Sequence, residues 1–451
     1  MKQEVPYSKM KIADREVGDN KKLEGTDMNN TQNKKIAQVS DKTLVVGVDV
    51  GSETHYARAI LARGYEVSRK PYEFGNTRDG FERFVRWTGE LALANMLTKI
   101  IVAVEPTGHY WFNLADYLKQ TEIKLVLVAP QHVKHSKEMD DNTQTKNDRK
   151  DPLVIARLVT EGRYLIPYIP EEIYGELRAA FNRRCDLAEA LARNKNRMIR
   201  WFDVYFPEYR KVYGRIGSKT GLMILKRAPL PADILTLGKE GICGIWRSAK
   251  QKGAGINRAG KLVAAAENSI GRKGGAAVRQ ELWQLIEESE LLSKQVNDIM
   301  QIITELLGKI PGAERLLRVP GVGIVTVAGF LSEVGDIRRF SDPRQIQKLA
   351  GLAIVENSSG KRKGQPGISR RGRKRLRWIL FHMARCMVVS NEEMKEYHRY
   401  YTTRKEKPLK KMQSLMAVAG KIIRIFYGML KNGTEYDPEL VTKDIHRKAI
   451  A

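Results

Sequence analysis

Between residues 44 and 130 short apolar runs alternate with amphipathic stretches. The run LVVGVDV (44–50) is β-branched and apolar, long enough for one buried strand. HYARAILA (55–62) and YEVSRKPYEF (65–74) follow as two further strands, separated by turn signals at Gly51 and Gly64. From Arg78 to Ala94 the period changes: Phe81, Phe84, Trp87 and Leu91 recur every three or four residues and share one helical face, with Val85 beside it. KIIVAVE (99–105) and IKLVLVAP (123–130) are two more buried strands, with a helical pattern from His109 to Leu118 between them. Three strands in a row, followed by strands alternating with helices, predict an α/β domain with a mixed sheet. That order suits an RNase H-like sheet better than a doubly wound nucleotide fold.

Further along, the apolar spacing is helical. Residues 172–210 and 279–310 are two long amphipathic segments. In the second, Leu282, Leu285, Ile286, Leu292, Val296, Ile299 and Ile303 mark one packed face. They predict a helical hairpin or coiled-coil arm, an element that commonly makes oligomers. Residues 214–278 between them are rich in Gly and Lys, and read equally as a small helical insert touching nucleic acid or as a solvated loop. Pro320-Gly321-Val322-Gly323 lies between two helical patterns and resembles a helix–hairpin–helix, in which glycine-turn amides can grip a phosphate or merely form a packing corner. Residues 351–378 break the pattern and 379–432 return to helices. The expected organisation is a disordered leader (1–40), an α/β domain (41–165), a helical arm with a basic insert (166–310), a mostly α C-terminal domain (311–435) and a tail (436–451).

Charge narrows the partners. The chain carries 79 Lys and Arg against 52 Asp and Glu, a formal net charge of +27, which favours a polyanion, nucleic acid first. A membrane is disfavoured, since no run approaches the ~20 apolar residues of a spanning helix. Cys185, Cys243 and Cys386 lack CxxC spacing, so neither a zinc site nor a disulfide framework is indicated. With no apolar signal segment at the N-terminus, a cytoplasmic protein is expected.

The chemistry starts at Asp49, a lone carboxylate set into the first strand, where a charge is costly unless a cation compensates it. Glu105 ends the second apolar strand in the same way, within VAVEPTGHYW. KNDRKDPLVIARL adds Asp148 and Asp151, three residues apart and so able to share a helical face. Four such carboxylates are what paired Mg²⁺ ions need to bridge phosphate oxygens. Each has an ordinary alternative: Asp49 can cap the Gly-Ser turn, Glu105 can end a strand, and Asp151 before Pro152 is a standard helix start. Those alternatives do not explain why three segments place acids in this order. In GLAIVENSSGKRKGQPGISRRGRKRLRW, Lys361, Arg362, Lys363, Arg370, Arg371, Arg373, Lys374, Arg375 and Arg377 crowd a segment that also holds Ser358, Ser359 and Ser369. A basic run is usually a solvated face; this one is assigned to phosphate contacts.

The motifs VGVDVGSETH, VEPTGHYW, KNDRKDPLVIARL, LLRVPGVG and GLAIVENSSGKRKG resemble those of the DEDD transposases of insertion sequences, the family that includes the Piv-type pilin-gene invertases. The resemblance covers 44–165 and 311–432. It implies a RuvC-like domain binding Mg²⁺ through Asp49, Glu105, Asp148 and Asp151, joined by a coiled coil to a C-terminal transposase domain. It also implies recombination of donor and target DNA guided by a non-coding bridge RNA, in homo-oligomers up to a tetramer, with a covalent serine–DNA link. Laid on the family pattern, that serine is Ser359, beside Gly360; Ser358 is one residue off. A serine flanked by Lys and Arg suits attack on a phosphodiester. Two positions depart from the family pattern: Ile354 stands for a proline and Pro152 for an alanine. Two other functions fit the residues, a RuvC-like nuclease using metal-activated water and a non-enzymatic nucleic-acid-binding protein.

Overall fold

The computed structural model describes residues 32–68, 70–140, 151–170, 172–251, 255–355, 358–359, 362–363 and 366–449. The chain divides into two compact units, residues 1–168 and 169–451.

The first unit is built on a five-stranded sheet in the order β3-β2-β1-β4-β5: β1 (Thr43–Val50), β2 (Thr54–Leu61), β3 (Tyr72–Gly75), β4 (Lys99–Val104) and β5 (Lys124–Leu127). β1 pairs antiparallel with β2 and parallel with β4, and β5 continues the parallel side, so the mixed sheet expected from the sequence is present. The helix Arg78–Ala94 has the expected bounds, and its N-terminus is capped by Thr77, whose hydroxyl accepts from the Gly80 amide. The third strand is shorter than the run 65–74 suggests. Pro71 cannot donate to a ladder, so pairing is confined to Tyr72–Gly75, with one isolated bridge from Glu66 to Ile60. The polar composition of 1–40 predicts no order, yet residues 32–36 form a helical turn. Lys35 Nζ donates to the Tyr164 carbonyl at 2.7 Å and the Tyr164 hydroxyl donates back to the Lys35 carbonyl at 3.0 Å. These hydrogen bonds come from residues 129 positions away, which a local reading cannot see.

One close approach fixes the layer over the sheet. The helix Asp151–Thr160 packs on β1 so tightly that a Cβ on Gly47 would lie 1.8 Å from the Pro152 carbonyl oxygen and 2.7 Å from the Ala156 nitrogen. Val45, Ile101, Ala103, Val126, Val154, Ile155 and Leu158 form the core beneath. Both obstacles at Gly47 are backbone, so Gly47→Ala forces the helix off the sheet. A loss of about 3 kcal/mol, the upper range of overpacking costs, is expected in urea unfolding.

In the second unit two 34-residue helices, Glu172–Tyr205 and Ala276–Lys309, pair antiparallel. Each is ~50 Å long at 1.5 Å per residue. Asn194 Nδ2 donates to Glu288 at 2.6 Å and Trp201 Nε1 to the Val278 carbonyl at 3.0 Å, which fixes the register. The arm carries a separate core at each end. At one, Leu177, Phe181, Ile303 and Leu307 join Phe330, Ile379, Met383 and Phe426 of the C-terminal helices. At the other, Trp201, Phe202, Leu282 and Ile286 join Tyr209, Ile224, Ile234, Trp246 and Leu262. The insert is therefore helical, through Lys219–Leu225, Pro231–Ser248 (bent at Gly238) and Ile256–Glu267.

A bidentate pair ties this tip together: Arg279 donates to Asp233 at 2.9 and 2.7 Å, while Asp233 also accepts from the Leu230 amide. Burial alone would raise the Asp233 carboxyl; the Arg279 and Leu230 hydrogen bonds more than reverse this and hold it below its ordinary value. A carboxylate lowered by folding contributes stability that is present above its unfolded pKa of about 3.9 and is lost as pH falls through the folded value. Amide exchange in Pro231–Ser248 should therefore accelerate below about pH 4, and Asp233→Asn should remove that acid dependence.

Candidate active site

The acids of the first unit are positioned by strand register. In the parallel pair β1–β4, Val48 stands opposite Val104. Asp49 lies in β1, one residue past that pair, and Glu105 directly follows the last residue of β4. Side chains alternate along a strand, so Asp49 shares a face with Gly47 and Val45. That is the face covered by the helix Asp151–Thr160, whose Pro152 carbonyl sits over Gly47.

The surroundings of the acids differ. Asp151 is buried at 8 % exposure and paired with Lys137 of the helix Pro130–Asp140. Lys137 is a partner that sequence spacing does not reveal. Glu105 is half-buried and accepts from the Thr107 hydroxyl at 2.9 Å. Asp148 lies outside the described residues, and among the described residues no three acids, histidines or cysteines stand close enough together to hold a metal ion. The donor set is all carboxylate oxygen, the ligand type that Mg²⁺ takes.

Two further residues shape the strand end. His55, opposite Val50, is fully buried and accepts from the Gly51 amide through Nδ1 at 3.2 Å. Burial lowers its pKa, against a smaller opposing pull from Asn76, so it stays neutral at physiological pH. Asn76 donates to the Ser52 carbonyl at 3.0 Å. A Cβ on Gly51 would lie 2.4 Å from the Thr54 carbonyl oxygen, so the turn after Asp49 requires glycine. The period-two pattern of HYARAIL could have placed His55 inward.

In the second unit the segment read as irregular is a β-hairpin in two tiers. Ile354–Val355 pairs antiparallel with Gly367–Ile368, and Ser358–Ser359 with Arg362–Lys363. The inner register sets Ser359 opposite Arg362, the pair that closes the hairpin. Lys361 lies outside the described residues, as do the side chains of Ser359, Arg362 and Lys363. The base is stapled to the preceding helix: the Ser369 amide donates to the Ala353 carbonyl, Arg370 to Gly351 and Arg373 to Leu349, at 2.7–3.0 Å.

The basic residues divide into two kinds. Arg370, Arg371 and Lys374 are exposed. Arg373 has internal work: it donates to the Glu333 carbonyl at 2.7 Å and pairs with the buried Glu333 carboxylate. With Arg178, which donates to the Ser332 carbonyl at 2.8 Å, it satisfies the C-terminal end of the helix Ile324–Val334. Arg375 hydrogen-bonds Asn182, and Arg377 bonds the carbonyls of Ala350 and Arg370. The glycine turn likewise has internal reasons. Gly321 sits at φ +85°, where a Cβ would lie 2.4 Å from Ser390 Oγ. The Gly323 amide donates to the Thr326 hydroxyl at 3.1 Å. The corner between Ala313–Leu317 and Ile324–Val334 thus requires glycine at 321, while a Cβ at exposed Gly323 would meet open space.

Residues 46–207 match a family of DEDD transposases of the IS110 type, described as "Transposase", and residues 313–399 match the "Transposase IS116/IS110/IS902 family". The chain is similar to the "Insertion element IS110 uncharacterized 43.6 kDa protein" of Streptomyces coelicolor, 22% identical over 89% of this chain and 97% of that protein. It is 27% identical to the "Pilin gene-inverting protein" of Moraxella lacunata, over 88% of this chain and 98% of that one. To the "Insertion element IS116 uncharacterized 44.8 kDa protein" of Streptomyces clavuligerus it is 25% identical, over 65% of this chain and 73% of the relative. The α/β unit that carries Asp49, Glu105 and Asp151 and the helical region that carries the serine hairpin are the two parts these families match, and the chain belongs to the DEDD transposases of insertion sequences, enzymes that cut and join DNA.

Proposed function

We propose that this transposase recombines donor and target DNA through a covalent serine–DNA intermediate, with Asp49, Glu105, Asp148 and Asp151 as the metal-holding acids and Ser359 as nucleophile. The observation that supports the reading is the parallel pairing of β1, which holds Asp49, with β4, which Glu105 follows, in the sheet on which the helix that begins at Asp151 packs over Gly47. The sheet order with an antiparallel β1–β2 pair and parallel β1–β4–β5 supports a RuvC/RNase H-like assignment. Bound Mg²⁺ would supply charge neutralisation at the phosphate that the acids alone would repel.

The protein's own groups account for the remaining chemistry. Ser359 Oγ attacks phosphorus; the Ser O–P bond forms, the P–O3′ bond breaks, and the 3′ oxygen leaves as a hydroxyl while serine loses its proton. The 5′-phosphoserine keeps the energy of the phosphodiester, so joining needs no ATP. Arg362 and Lys363, neighbours in the hairpin, and the exposed Arg370, Arg371 and Lys374 would face the phosphate oxygens. Arg373 and Arg375, held internally, would position the hairpin base. Guidance by a non-coding bridge RNA and assembly into homo-oligomers complete the reading, supported by the resemblance, by the net charge of +27 and by the antiparallel arm.

Sequencing the RNA that co-purifies with the full-length protein tests the guidance. A discrete species encoded beside the gene is expected; random cellular RNA would contradict it.

A further inference from the structure

The tip of the arm is matched by neither family: the matches end at residue 207 and resume at 313. It is nonetheless a folded module with its own core. Its charge is far more one-sided than that of the whole chain. Residues 210–279 hold fifteen Lys and Arg against three Asp and Glu, whereas the chain holds 79 against 52. One of the three acids, Asp233, is taken up by Arg279, leaving Glu240 and Glu267.

Three of these cations, Lys239, Arg258 and Lys261, meet at the helix Ile256–Glu267. Arg258 and Lys261, three residues apart, both point to solvent from it. The Arg258 guanidinium lies 5.8 Å from the Tyr213 ring centre, which fixes it at the surface. The stem of Lys239 crosses the same helix, its Cε 3.7 Å from where a Cβ on Gly260 would stand. Among the described residues no ion pair holds Lys239, Arg258 or Lys261. Three like charges in one place destabilise a surface unless a polyanion offsets them. A protein partner would call for an apolar centre, but the large apolar side chains exposed on the tip among the described residues are Leu235, Ile256 and Ile270, too few to form one.

We infer that the arm tip is a nucleic-acid-binding module of this chain, whose Lys239, Arg258 and Lys261 contact the sugar–phosphate backbone without reading sequence. The inference stands apart from the serine mechanism, because Ser359→Ala leaves the tip intact.

The test uses the full-length protein with Lys239→Gln, Arg258→Gln and Lys261→Gln combined. All three positions are exposed, so melting temperature should hold. Binding to an arbitrary DNA duplex and to a structured RNA is measured across a salt series. Each lost contact removes about 0.9 from the slope of log K against log salt on duplex DNA, so the slope should fall by about 2 to 3, with affinity at least ~10-fold weaker. Loss on duplex only assigns the tip to DNA, and loss on RNA only assigns it to RNA. A control removes three exposed cations of the arm instead, Lys195→Gln, Arg200→Gln and Lys294→Gln. Unchanged slopes and affinities on both polymers, or an equal loss in the control, would overturn the inference.

Discussion

Ser359→Ala is expected to abolish strand joining, with a fall of at least ~10³-fold, the scale on which removing a covalent nucleophile acts. The substitution removes one oxygen at the closing pair of a short hairpin, opposite Arg362, so the fold should survive it. DNA binding should stay within about twofold, since affinity rests on the phosphate contacts of many cations. Ser358→Ala separates the two adjacent hydroxyls. With Ser359 as the proposed nucleophile, Ser358→Ala should retain activity. Joining assayed on a supercoiled donor plasmid reads both variants. Wild-type joining by Ser359→Ala would remove the serine from the mechanism.

The second large effect is expected at Asp49. Asp49→Asn preserves shape but removes the charge of the one β1 carboxylate proposed to hold the metal. Activity should fall by about 10² to 10³, matching the several kcal/mol that a bound cation contributes. The purified protein offers a readout independent of activity. Divalent-cation binding followed by calorimetry should be weakened by Asp49→Asn and by Glu105→Gln. Full activity of Asp49→Asn would instead assign the acids a structural role and favour a chain that binds DNA without this chemistry.

The sequence made some of this legible and hid the rest for identifiable reasons. β1, β2, β4 and the helix Arg78–Ala94 follow from periodicity, because each buries a continuous face within its own length. The parallel pairing of β1 with β4 does not, since it joins segments far apart in the chain, which no local pattern specifies. The pairing of Asp151 with Lys137 is of the same kind, a contact between helices. The hairpin around Ser359 was hidden because its four strands have two residues each, too few for alternation to register. In the basic run, charge alone could not separate Arg373, which neutralises buried Glu333, from Arg371, which faces solvent. The Gly- and Lys-rich composition of the insert left helices and a solvated loop equally open, since the apolar faces of its three helices are completed by Trp201, Leu282 and Ile286 of the arm. At the glycine turn, a close approach to Ser390 and Met387 gives Gly321 a packing role that the sequence pattern does not show.

The central claim is that carboxylates of the first unit and a serine of the second serve one reaction. It is tested most directly by trapping the protein–DNA adduct on a nicked suicide substrate, digesting it and locating the modified residue by mass spectrometry. A 5′-phosphodeoxynucleotide on Ser359 is expected in the wild-type protein with Mg²⁺, and its disappearance in Asp49→Asn. Free 5′-phosphate ends with no adduct, or an adduct on a residue other than Ser359, would contradict it.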